Sequence, residues 1–142
     1  MGDEQKTKIL ILDDEPIVIK RLKPALEKSG YDVEAFSRSL EASHRIMEQD
    51  FDIVITDLKM EGLDGMEFLT RVKDRSPATE VIVITGFATM ETAKESFKKG
   101  VFDFLAKPFK LGEIKKLSPK RKVRLKEADN CSPANFEGHF LR

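Results

Sequence analysis

The chain has 142 residues, and its 25 Lys and Arg residues balance its 25 Asp and Glu residues, so the formal net charge is zero. This length suits a single domain with a sizeable core, and the neutral balance provides no overall attraction to nucleic acids. No apolar run approaches the roughly 20 residues that a membrane-spanning helix needs, and residues 1–4 lack the apolar stretch of a signal peptide. Membrane association is therefore not expected, and a cytoplasmic location is the default expectation.

Cysteine and histidine are scarce. Cys131 is the single cysteine, which excludes an internal disulfide bond. Neither His44 nor His139 has a cysteine or a second histidine at ligand spacing, so a zinc site is not expected.

The first part of the chain alternates strand and helix patterns. Residues 9–12 are aliphatic, which predicts a buried strand. Pro16 can open a helix and Gly30 can end it. Pro24 lies inside that helix and predicts a bend rather than a break. Residues 32–36 alternate polar and apolar side chains, which predicts a half-exposed edge strand.

Buried-strand patterns recur at residues 53–56, 81–84 and 102–105, with helical spacing between them and Gly100 at the end of the fourth helix. Each of the four helices is predicted to turn one mostly apolar stripe toward the core. The stripes are Val18, Leu22, Ala25 and Leu26 in the first helix, Leu40, His44 and Met47 in the second, Met66, Leu69 and Val72 in the third, and Met90, Ala93 and Phe97 in the fourth.

This alternation predicts a doubly wound α/β domain with a five-stranded parallel sheet, flavodoxin-like (βα)5, in the strand order 2-1-3-4-5. The functional crevice of such a sheet lies at the carboxyl ends of its strands. Asp13 and Asp14 follow the first strand, and Asp57 follows the third. Thr85 ends the fourth strand and Lys107 the fifth. We therefore expect these side chains to meet.

Three carboxylates brought together repel one another unless a cation lies between them. Mg²⁺ is the predicted cofactor because it prefers oxygen ligands and leaves a position for a phosphate oxygen. An aspartate can attack a phosphoryl group to form an aspartyl phosphate, and Lys107 and Thr85 would neutralise the phosphoryl oxygens. Taken singly, these acidic residues could cap a helix or begin a loop, and Lys107 could be a solvated lysine. Their coincidence at one sheet edge favours a phosphoryl site.

Five segments resemble, in order and spacing, the receiver domain of two-component response regulators, the CheY-like family. They are residues 10–15 (LILDDE), 55–57 (ITD), 64–65 (DG), 83–86 (VITG) and 104–109 (FLAKPF). The resemblance covers residues 8–117. Residues 1–7 are then predicted to be an N-terminal extension, and residues 118–142 a basic and polar tail that is a linker stub or an artificial extension.

The resemblance implies roles for individual residues. Asp57 matches the phospho-accepting aspartate, and Asp13 and Asp14 match the acidic pair that binds Mg²⁺ with it. Lys59 matches the position whose backbone carbonyl completes the metal shell. Lys107 matches the lysine that binds the phosphoryl group, and the Lys107-Pro108 peptide bond is expected to be cis.

Further positions match the switch of this family. Thr85 is expected to move toward the phosphate, and Phe104 is the aromatic residue expected to turn inward in response. Phe87 and Lys59 occupy positions that tune the phosphate lifetime, and we expect both to lengthen it. Glu61 stands where the family often has proline, which predicts a more mobile loop after Asp57.

The expected phosphodonor is a sensor histidine kinase or a phosphotransfer protein. Because the chain would turn over no external substrate, it is not expected to be an enzyme. The expected output surface is the face of the fourth helix, fifth strand and fifth helix, which suits a homodimer or an output partner, although an ordinary solvated face has the same pattern. Its residues are Met90, Lys94, Lys98, Phe104, Lys110 and Glu113. Similar receiver segments precede output domains in transcriptional activators, and an output domain is expected to be absent from this chain.

Three other functions are disfavoured. A hydrolase with an aspartate nucleophile usually needs a second acid two residues later, and position 59 is lysine. Nucleotide or flavin binding lacks a glycine-rich or Walker motif. Direct DNA binding would depend on residues 115–126, where seven of twelve are Lys or Arg, but this stretch lacks a recognition-helix pattern.

Overall fold

A computed structural model describes residues 6–58 and 65–114, in which five strands alternate with four helices. The strands are β1 (Lys8–Leu12), β2 (Asp32–Phe36), β3 (Ile53–Thr56), β4 (Glu80–Thr85) and β5 (Asp103–Ala106). The helices are α1 (Pro16–Lys28), α2 (Ser39–Glu48), α3 (Gly65–Arg75) and α4 (Met90–Lys98). Residues 111–114 are also helical. Two units divide the chain, Met1–Leu111 and Gly112–Arg142, and the whole sheet lies in the first.

The five strands form one parallel sheet in the order β2-β1-β3-β4-β5. This confirms the predicted fold class and strand order. Leu12 is paired with Thr56, so the residues that follow β1 and β3 leave the sheet side by side. Thr85 is paired with Ala106, which brings the ends of β4 and β5 together in the same way. The register therefore gathers the predicted site residues at one edge.

Both faces of the sheet are buried, as expected for a parallel sheet covered by helices. One face packs with α2 and α3 in a cluster that includes Leu10, Val54, Phe68 and Leu69. Alternate strand residues, among them Ile11, are buried on the opposite face. Within the described part of the chain, no helix is both long enough and apolar enough to cross a bilayer.

The predicted ends of the first and fourth helices are confirmed. Pro16 occupies the first turn of α1, and the helix runs unbroken through Pro24. Gly30 follows α1 with a φ of 97°, and Gly100 follows α4 with a φ of 95°. Glycine adopts this left-handed conformation without the steric cost that other residues carry.

The predicted apolar stripe of the second helix was wrong. Leu40, His44 and Met47 are exposed on α2. The buried residues of α2 are instead Ser39, Ala42, Ser43 and Ile46. These residues are mostly small, and small side chains let a helix approach its neighbours closely, so packing space outweighed side-chain hydrophobicity in setting the buried face.

The predicted stripe of the fourth helix was wrong at its first residue. Met90 begins α4 and is largely exposed, whereas Ala93 and Phe97 are partly buried. A residue at the first helical position projects beyond the packed turns of the helix, so it contributes little to the buried face.

Candidate functional site

The predicted side chains meet at the carboxyl edge of the sheet. Asp57 and Lys107 line an open cavity of about 570 Å³ together with Asp14, Glu15 and Phe87. The cavity is much larger than a phosphoryl group, and its remaining wall is partly apolar. Its lining therefore combines charged and apolar side chains.

Asp57 is held at both carboxylate oxygens although it is only 5% exposed. The backbone N–H of Leu58 donates to Oδ1 at 2.6 Å, and the Lys107 ammonium donates to Oδ2 at 2.9 Å. The Asp57 backbone N–H donates to the carbonyl of Leu12 at 3.1 Å, which continues the β1–β3 pairing. Strand pairing thus positions the backbone, and two donors fix the carboxylate.

Asp13 lies beside it and is 2% exposed. Its Oδ1 accepts from the Glu15 backbone N–H at 2.9 Å, and its Oδ2 lies 3.0 Å from the Lys107 Nζ atom. Burial raises the pKa of the Asp13 carboxyl, and the Glu15 N–H and Lys107 offset part of that rise. The ionised form of Asp13 is therefore costly to bury at this edge of the sheet.

Lys107 is the cation that these carboxylates share. Its Nζ contacts Asp13, Asp57 and Glu15. Burial alone would lower the pKa of Lys107, but hydrogen bonds to Asp57, Glu15 and Asp13 outweigh burial and raise it. The ammonium therefore stays charged at neutral pH. The peptide bond from Lys107 to Pro108 is cis, as expected.

Thr85 stands at the end of β4 with a fully buried side chain. Its Oγ1 accepts from the backbone N–H of Phe87 at 3.0 Å, and its carbonyl accepts from the backbone N–H of Lys107 at 2.8 Å. Thr85 is thus tied both to the loop that carries Phe87 and to the lysine of the site. Phe87 is 55% exposed and lines the cavity.

The acidic residues fit a magnesium ion. Oxygens of Asp13, Asp14 and Asp57 all lie within 4.8 Å of one another. An octahedral Mg²⁺ with ligands at about 2.1 Å places opposite ligands roughly 4 Å apart. These oxygens would need to move little to share one ion, and carboxylate oxygen is the donor that Mg²⁺ prefers.

Gly65 lies against the backbone of Asp57 and Leu58. Its backbone N–H donates to the carbonyl of Leu58 at 3.1 Å, and α3 begins at this residue. A Cβ atom at position 65 would lie 2.4 Å from the Cα of Leu58 and 2.6 Å from the carbonyl oxygen of Asp57. Only glycine allows the backbone to approach this closely.

Substituting Gly65 with alanine is expected to displace the Asp57–Leu58 backbone and to lower the unfolding free energy by about 2–3 kcal/mol. Urea denaturation measures this loss. Gly112→Ala is the control, because a Cβ there would have nothing within 4 Å. Equal stability of the Gly65→Ala variant and the parent would contradict the assignment.

Asp13→Asn is expected to raise the unfolding free energy of the metal-free protein at pH 7, by about 0.5–2 kcal/mol. The folded pKa of Asp13 lies above its ordinary value of 3.8, so the native state binds the proton more tightly than the unfolded state. That stabilisation is complete below the ordinary value and is lost as pH rises through the raised one. Asparagine removes the cost of ionisation. Urea denaturation with a chelator at pH 7 should show the gain, and a loss would contradict it.

The remaining predicted site residues are only partly placed by the structure. Phe104 is partly buried against the core cluster. Lys59 and Glu61 lie outside the described residues. Sequence reasoning missed two features, the contact between Glu15 and Lys107 and the close approach at Gly65. The LILDDE and DG segments contained both residues, but neither segment indicated these contacts.

Comparisons with known proteins agree with this geometry. Residues 9–118 match the family model of the response regulator receiver domain. The chain is 32% identical over 112 residues to the response regulator protein PilR of Pseudomonas aeruginosa, an alignment that covers 79% of this chain and 25% of PilR. The chain thus spans about a quarter of the length of that relative.

Two solved structures are similar in fold. A CheY-like receiver domain protein from Methanospirillum hungatei JF-1 has a TM-score of 0.79 at 27% identity, covering 89% of this chain and 98% of that one. A response regulator from Burkholderia pseudomallei, solved with a phosphorylated aspartic acid, a calcium ion and citrate, has a TM-score of 0.74 at 26% identity, covering 89% and 76%. Together with the family match and the acidic cluster at the sheet edge, these likenesses establish that the chain belongs to the response regulator receiver domain family.

Proposed function

We propose that this chain is a phosphorylation switch in which Asp57 accepts a phosphoryl group from a sensor histidine kinase, a phosphotransfer protein or a small phosphodonor. The observation that carries the proposal is the shared contact of Lys107 with Asp57 and Asp13 at the sheet edge. A nucleophilic carboxylate, a fixed cation and further oxygen donors meet at one point, which is the set that phosphoryl transfer requires.

The transfer would use atoms already in place. An oxygen of Asp57 would attack phosphorus, and the bond from phosphorus to the donor atom would break as the leaving group takes the electron pair and a proton. Lys107 would follow the negative charge onto the phosphoryl oxygens, and the Thr85 hydroxyl would donate to one of them. The carboxylate and the ammonium already lie in contact before the step, whereas the Thr85 hydroxyl would have to turn toward the phosphoryl group.

Asp13, Asp14 and Asp57 are the side chains that would hold Mg²⁺, with the Lys59 carbonyl as a proposed fourth ligand outside the described residues. When bound, the ion would neutralise charge on the carboxylates and on the phosphoryl oxygens. Without it, the charges of the three carboxylates and an incoming phosphate would oppose one another.

The signal would leave the site through Thr85. Its hydroxyl now accepts from the Phe87 N–H, and turning toward a phosphate would break that hydrogen bond. Phe104 lies on β5, next to β4, and is proposed to turn inward as Thr85 moves. The surface around α4 and β5 presents Met90 and Lys94 to solvent and is the proposed contact for a second copy or an output partner.

The test is to incubate the full chain with Mg²⁺ and acetyl phosphate and to measure its intact mass. One acid-stable, base-labile phosphoryl group per chain is expected, and its formation should stop when a chelator removes the Mg²⁺. Absence of the phosphorylated species, or its formation at the same rate in the presence of the chelator, would contradict the proposal.

Phe87 is proposed to shield the aspartyl phosphate from attacking water, because it lines the cavity with more than half of its side chain exposed. Phe87→Ala is expected to accelerate loss of the phosphate about threefold to tenfold, measured as the decay of the phosphorylated mass. Lys59 is proposed to add screening charge, so Lys59→Ala should act in the same direction.

Met47→Ala is the matched control for Phe87→Ala. Met47 is more exposed than Phe87 and is absent from the described residues that line the cavity. Its substitution should leave the decay rate unchanged. A Phe87→Ala protein that loses its phosphate no faster than the parent would refute the shielding role.

A further inference from the structure

We propose that Glu15 competes with the phosphoryl group for Lys107 and thereby lowers the affinity of the site for a phosphoryl ligand. This inference rests on the proposed function, because it assigns a role within the same site. Its basis is the contact of the Glu15 carboxylate with the Lys107 ammonium, two groups that both line the cavity.

Glu15 is placed to reach the lysine by its position between β1 and α1. It is the N-cap residue of α1, yet its side chain makes no capping hydrogen bond to the helix. Instead, its carboxylate reaches Lys107, 92 residues away in sequence. Its backbone N–H simultaneously orients Asp13. The Glu15 side chain thus links the β1–α1 loop to the residue after β5, and its backbone orients Asp13 within that loop.

A phosphoryl oxygen can bind the Lys107 ammonium only by replacing one of its present partners. An ammonium group has three N–H donors, and in the described structure Asp13, Asp57 and Glu15 all lie at its nitrogen. Asp13 and Asp57 are buried, whereas Glu15 is 54% exposed at its side chain. Glu15 can recover its hydration on leaving, so it is the partner that a phosphoryl oxygen would displace.

The charge balance points the same way. Four carboxylates, those of Asp13, Asp14, Glu15 and Asp57, line or adjoin the cavity against two cations, the Lys107 ammonium and the Arg21 guanidinium, which lies over the Phe109 ring. A phosphoryl group adds nearly two further negative charges. Glu15 therefore both binds the Lys107 ammonium, which the phosphoryl group needs, and repels that group by its own negative charge. The charges of Asp13 and Asp14, in contrast, are proposed to be neutralised by Mg²⁺.

The test measures binding of beryllofluoride, a phosphoryl analogue, to the full chain at saturating Mg²⁺ by calorimetry or NMR. Glu15→Gln keeps the shape of the side chain and removes its charge. It is expected to bind the analogue about fivefold more tightly than the parent, the scale of a partly exposed ion pair. The difference should shrink as salt increases, because exposed charges are screened.

Glu27→Gln is the matched control, since Glu27 lies on α1, the helix that follows Glu15, and pairs with Lys23 on the surface. It removes the same charge away from the cavity and should leave affinity unchanged. Equal or weaker binding by Glu15→Gln, or an equal gain from Glu27→Gln, overturns the role of Glu15 alone. Failure of the parent to bind the analogue overturns the proposed function as well, so the two failures are distinguishable.

Discussion

Replacing Asp57 by asparagine is expected to abolish formation of the labile phosphate completely. The amide is isosteric with the carboxylate but is a far weaker nucleophile, and it withdraws one anionic oxygen from the proposed metal site. The Asp57 carboxylate also accepts two hydrogen bonds, from the Leu58 N–H at one oxygen and from the Lys107 ammonium at the other. The substitution therefore removes the acceptor while leaving the surrounding strands intact.

Intact mass after incubation with Mg²⁺ and acetyl phosphate measures this outcome. Asp74→Asn is the control, because Asp74 is an exposed aspartate on α3 and is not part of the acidic cluster at the sheet edge. It should be phosphorylated like the parent. A labile phosphate that still forms in the Asp57→Asn variant would show that another residue is the phosphoryl acceptor.

Lys107→Met is expected to slow phosphorylation on the order of 100-fold, because the charge that develops on the phosphoryl oxygens would lose its fixed cation. The same substitution should lower the unfolding free energy of the metal-free protein by about 2–3 kcal/mol at pH 7. Asp13 and Asp57 are buried beside this ammonium. Its removal takes away the positive charge that stabilises both buried carboxylates.

The pH dependence of stability gives a second check on Lys107. Its folded pKa lies above the ordinary value of 10.5, so its stabilising contribution is complete below that value and is lost as pH rises through the folded pKa. The parent should therefore lose stability above pH 10.5 more steeply than Lys107→Met. Urea denaturation at several pH values would show this.

Lys20→Met is the control for the lysine, because Lys20 is exposed on α1. It should preserve both the stability and the phosphorylation rate. Added Mg²⁺ should restore part of the stability of Lys107→Met, since the ion would supply positive charge to the same carboxylates. Unchanged stability of Lys107→Met in the presence of a chelator would contradict the ion-pair assignment.

The composition of the sheet edge was predictable because short segments of sequence determine it. Short β-branched runs define the parallel strands, and the residue after each strand must leave the sheet at the same edge. Asp57 after β3 and Lys107 after β5 therefore followed from strand assignment and strand order alone. Their contact across 50 residues of sequence is a consequence of topology.

Other features could not be predicted because they depend on packing. The buried face of α2 is set by the fit of Ala42 and Ile46 against the core, not by the hydrophobicity of Leu40. The reach of Glu15 to Lys107 depends on how two distant loops are juxtaposed. The need for glycine at position 65 depends on the path of the backbone beside Asp57. None of these leaves a periodic or compositional signal.

The most direct measurement is a Mg²⁺ titration of the full chain followed by NMR or calorimetry. One saturable ion per chain is expected, with the backbone signals of Asp13, Asp14 and Asp57 shifting together and with affinity reduced at least about tenfold by Asp13→Asn. No saturable binding, or binding that Asp13→Asn leaves unchanged, would contradict a shared metal site at the edge of the sheet.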